Sequence, residues 1–138
     1  MKFVHTNRDF IDKLKVAYRA SAVVSDTATS AGEIDVRYAK SLNLFIKYTK
    51  GDETGLTITI KGLHTTGGQE YQIGCYTDAS GSMTQEVYTY LYTATTNAVP
   101  IELDVTGYNY IKVYEVKTGG STSAATLLQI DYIRSNVI

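Results

Sequence analysis

The chain has 138 residues, the size of one ordinary domain, and a formal net charge of -1 from 13 basic and 14 acidic residues. This balance excludes the basic footprint of a nucleic-acid-binding protein, and no apolar run approaches the ~20 residues of a membrane span. The single Cys75 cannot form an internal disulfide and the amino terminus lacks the apolar stretch of a secretion signal, so we expect a soluble protein made in a reducing cytoplasm.

The amino-terminal residues are the only ones with a helical pattern. Thr6 stands where a helix cap would, Asp9 follows three residues later, and Phe10, Ile11 and Leu14 share one helical face. Such a helix has about two turns and is unstable alone in water. We therefore predict an arm or short helix over residues 1–20 that docks on the domain or on a neighbouring chain.

Strand patterns follow one another from Ala17 to the carboxyl terminus. Apolar residues alternate with polar ones between turns rich in Gly, Asp and Thr, as in a half-buried strand. Pro100 suits an edge strand, because proline cannot donate a ladder hydrogen bond. The alternation predicts a core that contains Leu42, Leu44, Ile46, Leu56, Ile58, Ile60, Ile111 and Val113.

The number and spacing of these strands predict the fold class. About eight strands with turns every 8–12 residues, and no helix between them, indicate an all-β, antiparallel sandwich. Two similar halves fit a jelly roll, which is built from two Greek keys. We therefore predict one jelly-roll-like domain over residues 21–138, preceded by the arm.

The similarity of the halves is visible as a gapless repeat. The segment that begins at Gly32 matches the one that begins at Ile101, 69 residues later, with Glu33, Asp35 and Gly51 aligned with Glu102, Asp104 and Gly120. One interpretation is true internal symmetry. The other is convergence, because every sandwich strand alternates and every tight turn selects the same residues.

No group of residues predicts catalysis, a cofactor or a metal. His5 and His64 lack ligand spacing, and Cys75 continues the alternating set of Tyr71 and Ile73, which predicts a buried apolar role for all three. The acids of the turns at Asp52-Glu53 and Asp78 lack the density of a calcium loop and are typical of turn residues that bind their own backbone. We predict a protein that is not an enzyme.

Tyrosines are the most unusual local feature. Tyr88, Tyr90 and Tyr92 alternate along one strand and so share one face. Three interpretations are open: packing between sheets, a subunit interface, or a sugar-binding platform, although such platforms commonly use Trp and this chain has none. The residues that we predict at an interface are Phe3, Phe10, Ile11, Leu14, Tyr88, Tyr90 and Tyr92.

Three segments resemble those of small proteins from tailed bacteriophages. They are S-L-N-L-F-I-K-Y-T-K-G-D-E-T-G-L-T-I-T-I from Ser41, T-T-G-G-Q-E-Y-Q, and G-Y-N-Y-I-K-V-Y-E-V-K-T-G-G. The resemblance covers about residues 30–134 and lies in the style of strands and turns. It implies a structural protein of the virion, assembled in the host cytoplasm, that decorates the capsid or lies at a head or tail junction.

Two functions are therefore carried forward from the sequence. The first is a non-enzymatic virion protein that contacts the major capsid protein or other virion proteins and forms homo-oligomers, without nucleic acid or membrane as partners. The alternative is a jelly-roll module that binds a glycan. The missing Trp and the arm favour the first.

Overall fold

The computed structural model describes residues 10–79, 82–87, 89–120 and 126–137, and for residues 75–79, 82–87 and 97–99 only their backbone. The described chain is all-β and contains eleven strands, named here in chain order. They are β1 (Val16–Val23), β2 (Thr29–Asp35), β3 (Ser41–Thr49), β4 (Gly55–Leu63), β5 (Tyr71–Gln72), β6 (Gly74–Ala79), β7 (Ser82–Val87), β8 (Thr89–Tyr92), β9 (Thr96–Asp104), β10 (Tyr110–Thr118) and β11 (Leu127–Ser135).

Nine of these strands form two antiparallel sheets that pack face to face. The first sheet has the order β1-β11-β3-β9, and the second has the order β2-β10-β4, with β5 and β8 both paired to the other side of β4. When β5 and β8 are counted as one strand, the eight strands follow the order of a jelly roll. The predicted antiparallel sandwich is confirmed.

The edge strand of the second sheet is interrupted by a hairpin. Tyr71 and Gln72 pair with Gly62 and Lys61, and the pairing to β4 resumes at Thr89. Between these points β6 and β7 pair only with each other among the described strands. A local alternating pattern predicts that a segment is a strand but not which strand it pairs with, so the sequence did not reveal this separate hairpin.

The predicted core is confirmed. All eight residues named from the alternation are fully buried between the sheets, where they pack with Tyr48, Leu128 and Ile130. Pro100 lies in β9 at an edge of the first sheet, as predicted. The inward position predicted for Tyr71 was wrong, since this side chain is 48% exposed, whereas Ile73 is buried.

The internal repeat is true symmetry of the fold. Ser41 on β3 pairs with Asp104 on β9. Their counterparts in the 69-residue repeat, Tyr110 on β10 and Asp35 on β2, pair with each other in the same way. The corner turns match bond for bond: the Val36 amide donates to the Asn109 carbonyl at 2.9 Å, and the Val105 amide donates to the Lys40 carbonyl at 2.9 Å. Convergence of single strands explains alternation, but not two corners with the same strand register and the same hydrogen bond.

The two halves of this symmetric fold are interleaved. Strands β1–β4 belong to the first half and β5–β11 to the second, and each pairing within the two sheets joins a strand of one half to a strand of the other. Among the described strands, only the hairpin of β6 and β7 pairs within its own half. The sandwich core therefore requires both halves at once.

The described part of the amino-terminal arm is not helical. Ile11 forms an antiparallel bridge with Ser135, and β1 begins at Val16, inside the predicted arm. The helical prediction for residues 10–15 was wrong, because pairing with the end of β11 outweighs the local helical spacing of two turns. Residues 1–9 lie outside the described part of the chain.

Candidate contact surface

The outer face of the first sheet is formed by the residues that alternate with the buried core. On β3 these are Asn43, Phe45 and Lys47, and on β11 they are Gln129, Asp131 and Ile133. Lys15 lies above Phe45, with its Nζ 5.2 Å from the ring centroid. This face therefore mixes apolar side chains with charges of both signs.

The chain segment before β1 is fixed to the edge of this face. The Phe10 amide donates to Oδ1 of Asn136 at 2.6 Å, and the Asn136 amide donates to the Phe10 carbonyl at 3.1 Å. Asp12 accepts hydrogen bonds from the amide and the guanidinium of Arg134, at 2.7 and 3.0 Å. Residues 10–12 are therefore a part of the domain.

A cleft of about 460 Å³ crosses one end of this face, from the amino-terminal segment to β9. Ile11, Ile133 and Val137 provide apolar walls, and Glu102 and Asp104 line the far side. Ile11 is 61% exposed and Leu14, nearby in the chain, is 80% exposed. Apolar side chains exposed together beside a cleft are typical of a contact site for another protein.

The outer face of the second sheet has a different chemistry. Lys61 and Lys112 lie over the ring of Tyr114, with Nζ 5.1 and 5.3 Å from its centroid. Glu70 accepts hydrogen bonds from Nζ of Lys112 at 2.9 Å and from the Tyr114 hydroxyl. These groups satisfy one another, so this face is suited to solvent.

A buried acid joins two equivalent turns of the repeat. Glu53, in the turn after β3, accepts hydrogen bonds from the hydroxyls of Tyr48 and Thr126 and from the Gly51 amide, the last at 2.9 Å. Burial alone would raise the pKa of Glu53, but the hydrogen bonds outweigh it and lower this pKa to about 2. The sequence prediction that this turn residue binds its own backbone is correct for Gly51 but missed the two hydroxyls.

An ion pair crosses the interior and fastens the edge strand β1. The Nε of Arg19 donates to Oε1 of Glu115 on β10 at 2.8 Å, and the same guanidinium donates to the carbonyls of Val23 and Leu128. Burial raises the pKa of Glu115, and the charge of Arg19 offsets only a part of this effect. Oε2 of Glu115 is buried and has no hydrogen-bond partner among the described residues.

The structure places the predicted interface residues in different environments. Ile11 is exposed at the cleft and Leu14 is exposed three residues further along the chain, whereas Phe10 is partly buried against the core. Tyr90 and Tyr92 also pack against the core from β8. This agrees with the interpretation that the alternating tyrosines pack between the sheets. Phe3 and Tyr88 lie outside the described residues, as does the side chain of Cys75.

The sequence analysis missed the residues of β11 and the carboxyl terminus at this surface. Ile133 was the signal that could have found them, because it is apolar on the strand face that also carries Gln129 and Asp131. Ile11, which lines the same cleft, comes from the other end of the chain, and no local pattern connects it with Ile133.

Within the described ranges, no three His, Cys, Asp or Glu side chains are grouped so that they could hold a metal ion. His64 is exposed in the loop after β4, where it stacks on Tyr108 with the ring centroids 5.7 Å apart. Among the same residues no helix is long and apolar enough to cross a membrane.

Solved structures with a similar fold include a prophage-derived protein and Bacillus endospore appendages. The structure of the SPBc2 prophage-derived protein YomS matches with a TM-score of 0.53 and 14% identity, over 91% of this chain and 95% of that one. A structure of Bacillus endospore appendages, described as a novel family of disulfide-linked pili, matches with a TM-score of 0.53 and 15% identity, over 98% and 96%. At such identities the likeness shows the fold alone. No protein-family model and no curated protein matches the sequence.

Proposed function

We propose that this chain is a non-enzymatic structural protein of a tailed-phage virion, a decoration or head-associated protein that acts through protein–protein contacts. Its partners are the major capsid protein or other virion proteins, together with further copies of itself. It assembles on the particle in the host cytoplasm. The observation that carries this proposal is the cleft at the outer face of the first sheet, where Ile11 is exposed, together with Leu14, which is exposed three residues further along the chain.

The distribution of charge and polarity supports a contact role. The outer face of the second sheet carries the exposed Leu91 and charged side chains that satisfy one another around Tyr114, whereas the first sheet has the exposed Ile11 at a cleft. Burying apolar surface of this kind contributes about 25 cal/mol per Å² to association, less the cost of ordering the partners. A rigid two-sheet domain is a suitable carrier for such a face.

The likeness to solved structures agrees with this proposal at the level of the fold. One similar protein is prophage-derived and another belongs to appendages that form pili. The phage-like segments described from the sequence point the same way. The pairing of residues 10–12 with β11 leaves residues 1–9, which include Phe3, as the segment that we propose reaches a partner.

The test is attachment to undecorated phage particles. We expect deletion of residues 1–9 and the substitution Leu14→Asp each to lower occupancy at least tenfold while thermal melts stay unchanged. The deletion stops at residue 9 because Phe10 to Asp12 belong to the sheet. The matched control is Leu91→Asp, since Leu91 is 66% exposed on the edge strand of the other sheet. If both test variants occupy the particles as fully as the intact chain does, the proposal is contradicted.

A second candidate, glycan binding, keeps one supporting observation. Tyr71 is 48% exposed, and its ring lies 5.5 Å from His64 in an edge-to-face contact, so one aromatic surface is open to a sugar ring. Tyr90 and Tyr92, in contrast, face the core. Binding of labelled glycans by the intact chain that is lost in Tyr71→Ala would favour this candidate.

A further inference from the structure

We propose that the cleft at the outer face of the first sheet binds an arginine side chain of the partner protein. This inference rests on the proposed contact function and states the chemistry that the partner presents to that same face. The alkyl stem of the arginine lies along the apolar side of the cleft, and its guanidinium reaches the carboxylates of Glu102 and Asp104 on the other side.

The cleft follows from the register of the strands. One row of paired residues crosses the sheet, and its members in order are Ile11, Ser135, Ser41 and Asp104. Because the two serines in the middle have small side chains, a trough is left between Ile11 and Asp104. Three strand spacings of about 4.8 Å separate these two residues, which makes the trough roughly 14 Å wide from backbone to backbone.

The two sides of the trough differ in chemistry. In the next row, Asn43 on β3 pairs with Ile133 on β11 at one side and with Glu102 on β9 at the other. Ile11 and Val137, which also line the cleft, are 61% and 42% exposed. The side of β11 and the chain termini is therefore apolar, and the side of β9 is acidic. An arginine side chain has the same division between an apolar stem and a charged head.

The carboxylate of Glu102 is available for such a contact. Among the described residues it has neither a hydrogen-bond partner nor a cation within ion-pair distance. Other acids of the chain are paired with cations, and these are Asp12, Asp35, Glu70 and Glu115. The negative charge at the cleft is thus left for a cation from outside the domain.

The spacing of the two acids favours arginine over lysine. Glu102 and Asp104 are two residues apart on one strand face, which is about 7 Å along the strand. The Asp104 carboxylate also accepts a hydrogen bond from the Thr106 amide at 2.9 Å, which restricts its position. A guanidinium carries five N–H donors in a planar fork and can donate to both acids, whereas an ammonium is a compact point charge. Arginine is also enriched at protein interfaces, where lysine is depleted.

The described cations of this chain do not supply that charge. Arg19, Arg37 and Arg134 each pair with an acid of their own chain. Lys40, the one cation among the described residues that line the cleft, is exposed and lies outside ion-pair distance of both acids. We therefore assign the arginine to a different protein. Arg8 lies outside the described residues, and the test includes it.

An NMR titration of the isotope-labelled full chain with the blocked tripeptide alanyl-arginyl-alanine tests this assignment. We expect saturable shifts of the Asn43 and Glu102 amides. The variant Glu102→Gln should weaken binding about threefold and Glu102→Gln/Asp104→Asn about tenfold, since each removes an exposed ion pair. A tripeptide with citrulline, which has the shape of arginine without its charge, should bind at least fivefold more weakly, and a tripeptide with lysine should also bind more weakly.

The matched control is Asp131→Asn, which removes an acid of the same sheet face outside the cleft and should bind as the intact chain does. Ile133→Ser tests the apolar side and should weaken binding about threefold; if it fails to fold by circular dichroism, Val137→Ser replaces it. Absence of saturable shifts, equal binding of the citrulline or lysine peptide, or equal weakening by Asp131→Asn overturns the proposal. So does an Arg8→Gln chain that binds the peptide more than tenfold more tightly than the intact chain, because the chain's own arm then fills the cleft. Since no phage particle is involved, failure here is separate from failure of the attachment test.

Discussion

Leu44 illustrates how completely single side chains are enclosed between the sheets. It is fully buried on β3, and its counterpart in the repeat is the equally buried Val113. We expect Leu44→Ala to lower the free energy of unfolding by about 2–5 kcal/mol, through lost burial and the cavity that remains. Urea unfolding measures this, with the exposed Leu91→Ala as the control. A loss under about half a kcal/mol would contradict the position of Leu44.

Glu53 should make stability depend on pH. Its pKa is about 2 in the folded protein, well below the ordinary glutamate value of 4.5. The folded state therefore stabilises the charged carboxylate more than the unfolded state does. This contribution to the free energy of unfolding is present above pH 4.5 and is lost as the pH falls toward 2. The shift corresponds to about 3 kcal/mol at neutral pH.

The variant Glu53→Gln isolates this contribution. Unfolding in urea between pH 2 and 7 should show that the intact chain loses stability on acidification more steeply than Glu53→Gln, because the amide cannot ionise. Glu102→Gln, at an exposed carboxylate, serves as the control. Parallel pH profiles for the intact chain and Glu53→Gln would show that the buried hydrogen bonds contribute nothing that depends on charge.

At the scale of elements, the Arg19–Glu115 pair determines how firmly β1 is held. Arg19→Met leaves the carboxylate of Glu115 buried without its cation, and we expect a loss of about 3–5 kcal/mol at pH 8. This loss of stability should be smaller at pH 5. Burial raises the pKa of Glu115, so acid favours its neutral carboxyl, which can stay buried without a cation at a lower cost than the carboxylate. The double variant Arg19→Met/Glu115→Leu should be more stable than the single one.

Hydrogen exchange gives the structural side of this prediction. In Arg19→Met the amides of β1 should exchange faster while those of β10 stay protected, because β1 is an edge strand and β10 lies inside its sheet. Uniform loss of protection over both strands would mean that the pair stabilises the whole sandwich and not the edge.

Elements with a strict alternation could be predicted from the sequence, and those decided by distant pairing could not. The alternation of apolar and polar residues from Leu42 to Tyr48 predicts β3 and its buried face, because this pattern is contained within the strand itself. The helical spacing of Phe10, Ile11 and Leu14 is equally local, but Ser135 decides the outcome from the other end of the chain. The burial of Glu53 depends likewise on Thr126, which no turn pattern reveals.

The contact surface shows the same limit. Ile11 and Leu14 were predicted because exposed apolar residues in a short segment require a cover. Ile133 and Lys15 were not, since the face that unites them exists only after β11 enters between β1 and β3. A sequence pattern reports which residues share one strand face, whereas the order of strands in a sheet determines which faces adjoin.

For the whole molecule, the interleaved halves predict complementation between fragments. A cut between Gly67 and Gly68, in the exposed turn after β4, gives fragments 1–67 and 68–138 that contain no sandwich pairing of their own. We expect each fragment alone to lack the circular dichroism of the intact chain and an equimolar mixture to recover it. A second fragment with Ile111→Asp should not complement. Independent folding of residues 1–67 would contradict the interleaving.

The same interleaving has a consequence for synthesis on the ribosome. β11 lies between β1 and β3 in the first sheet, yet it is translated long after both of them. Until it has left the exit tunnel, β1 has no neighbour in its sheet and the first sheet stays divided. The sandwich therefore closes only after β11 has emerged from the ribosome. The growing chain depends in that interval on chaperones, or on the speed of translation, to avoid aggregation.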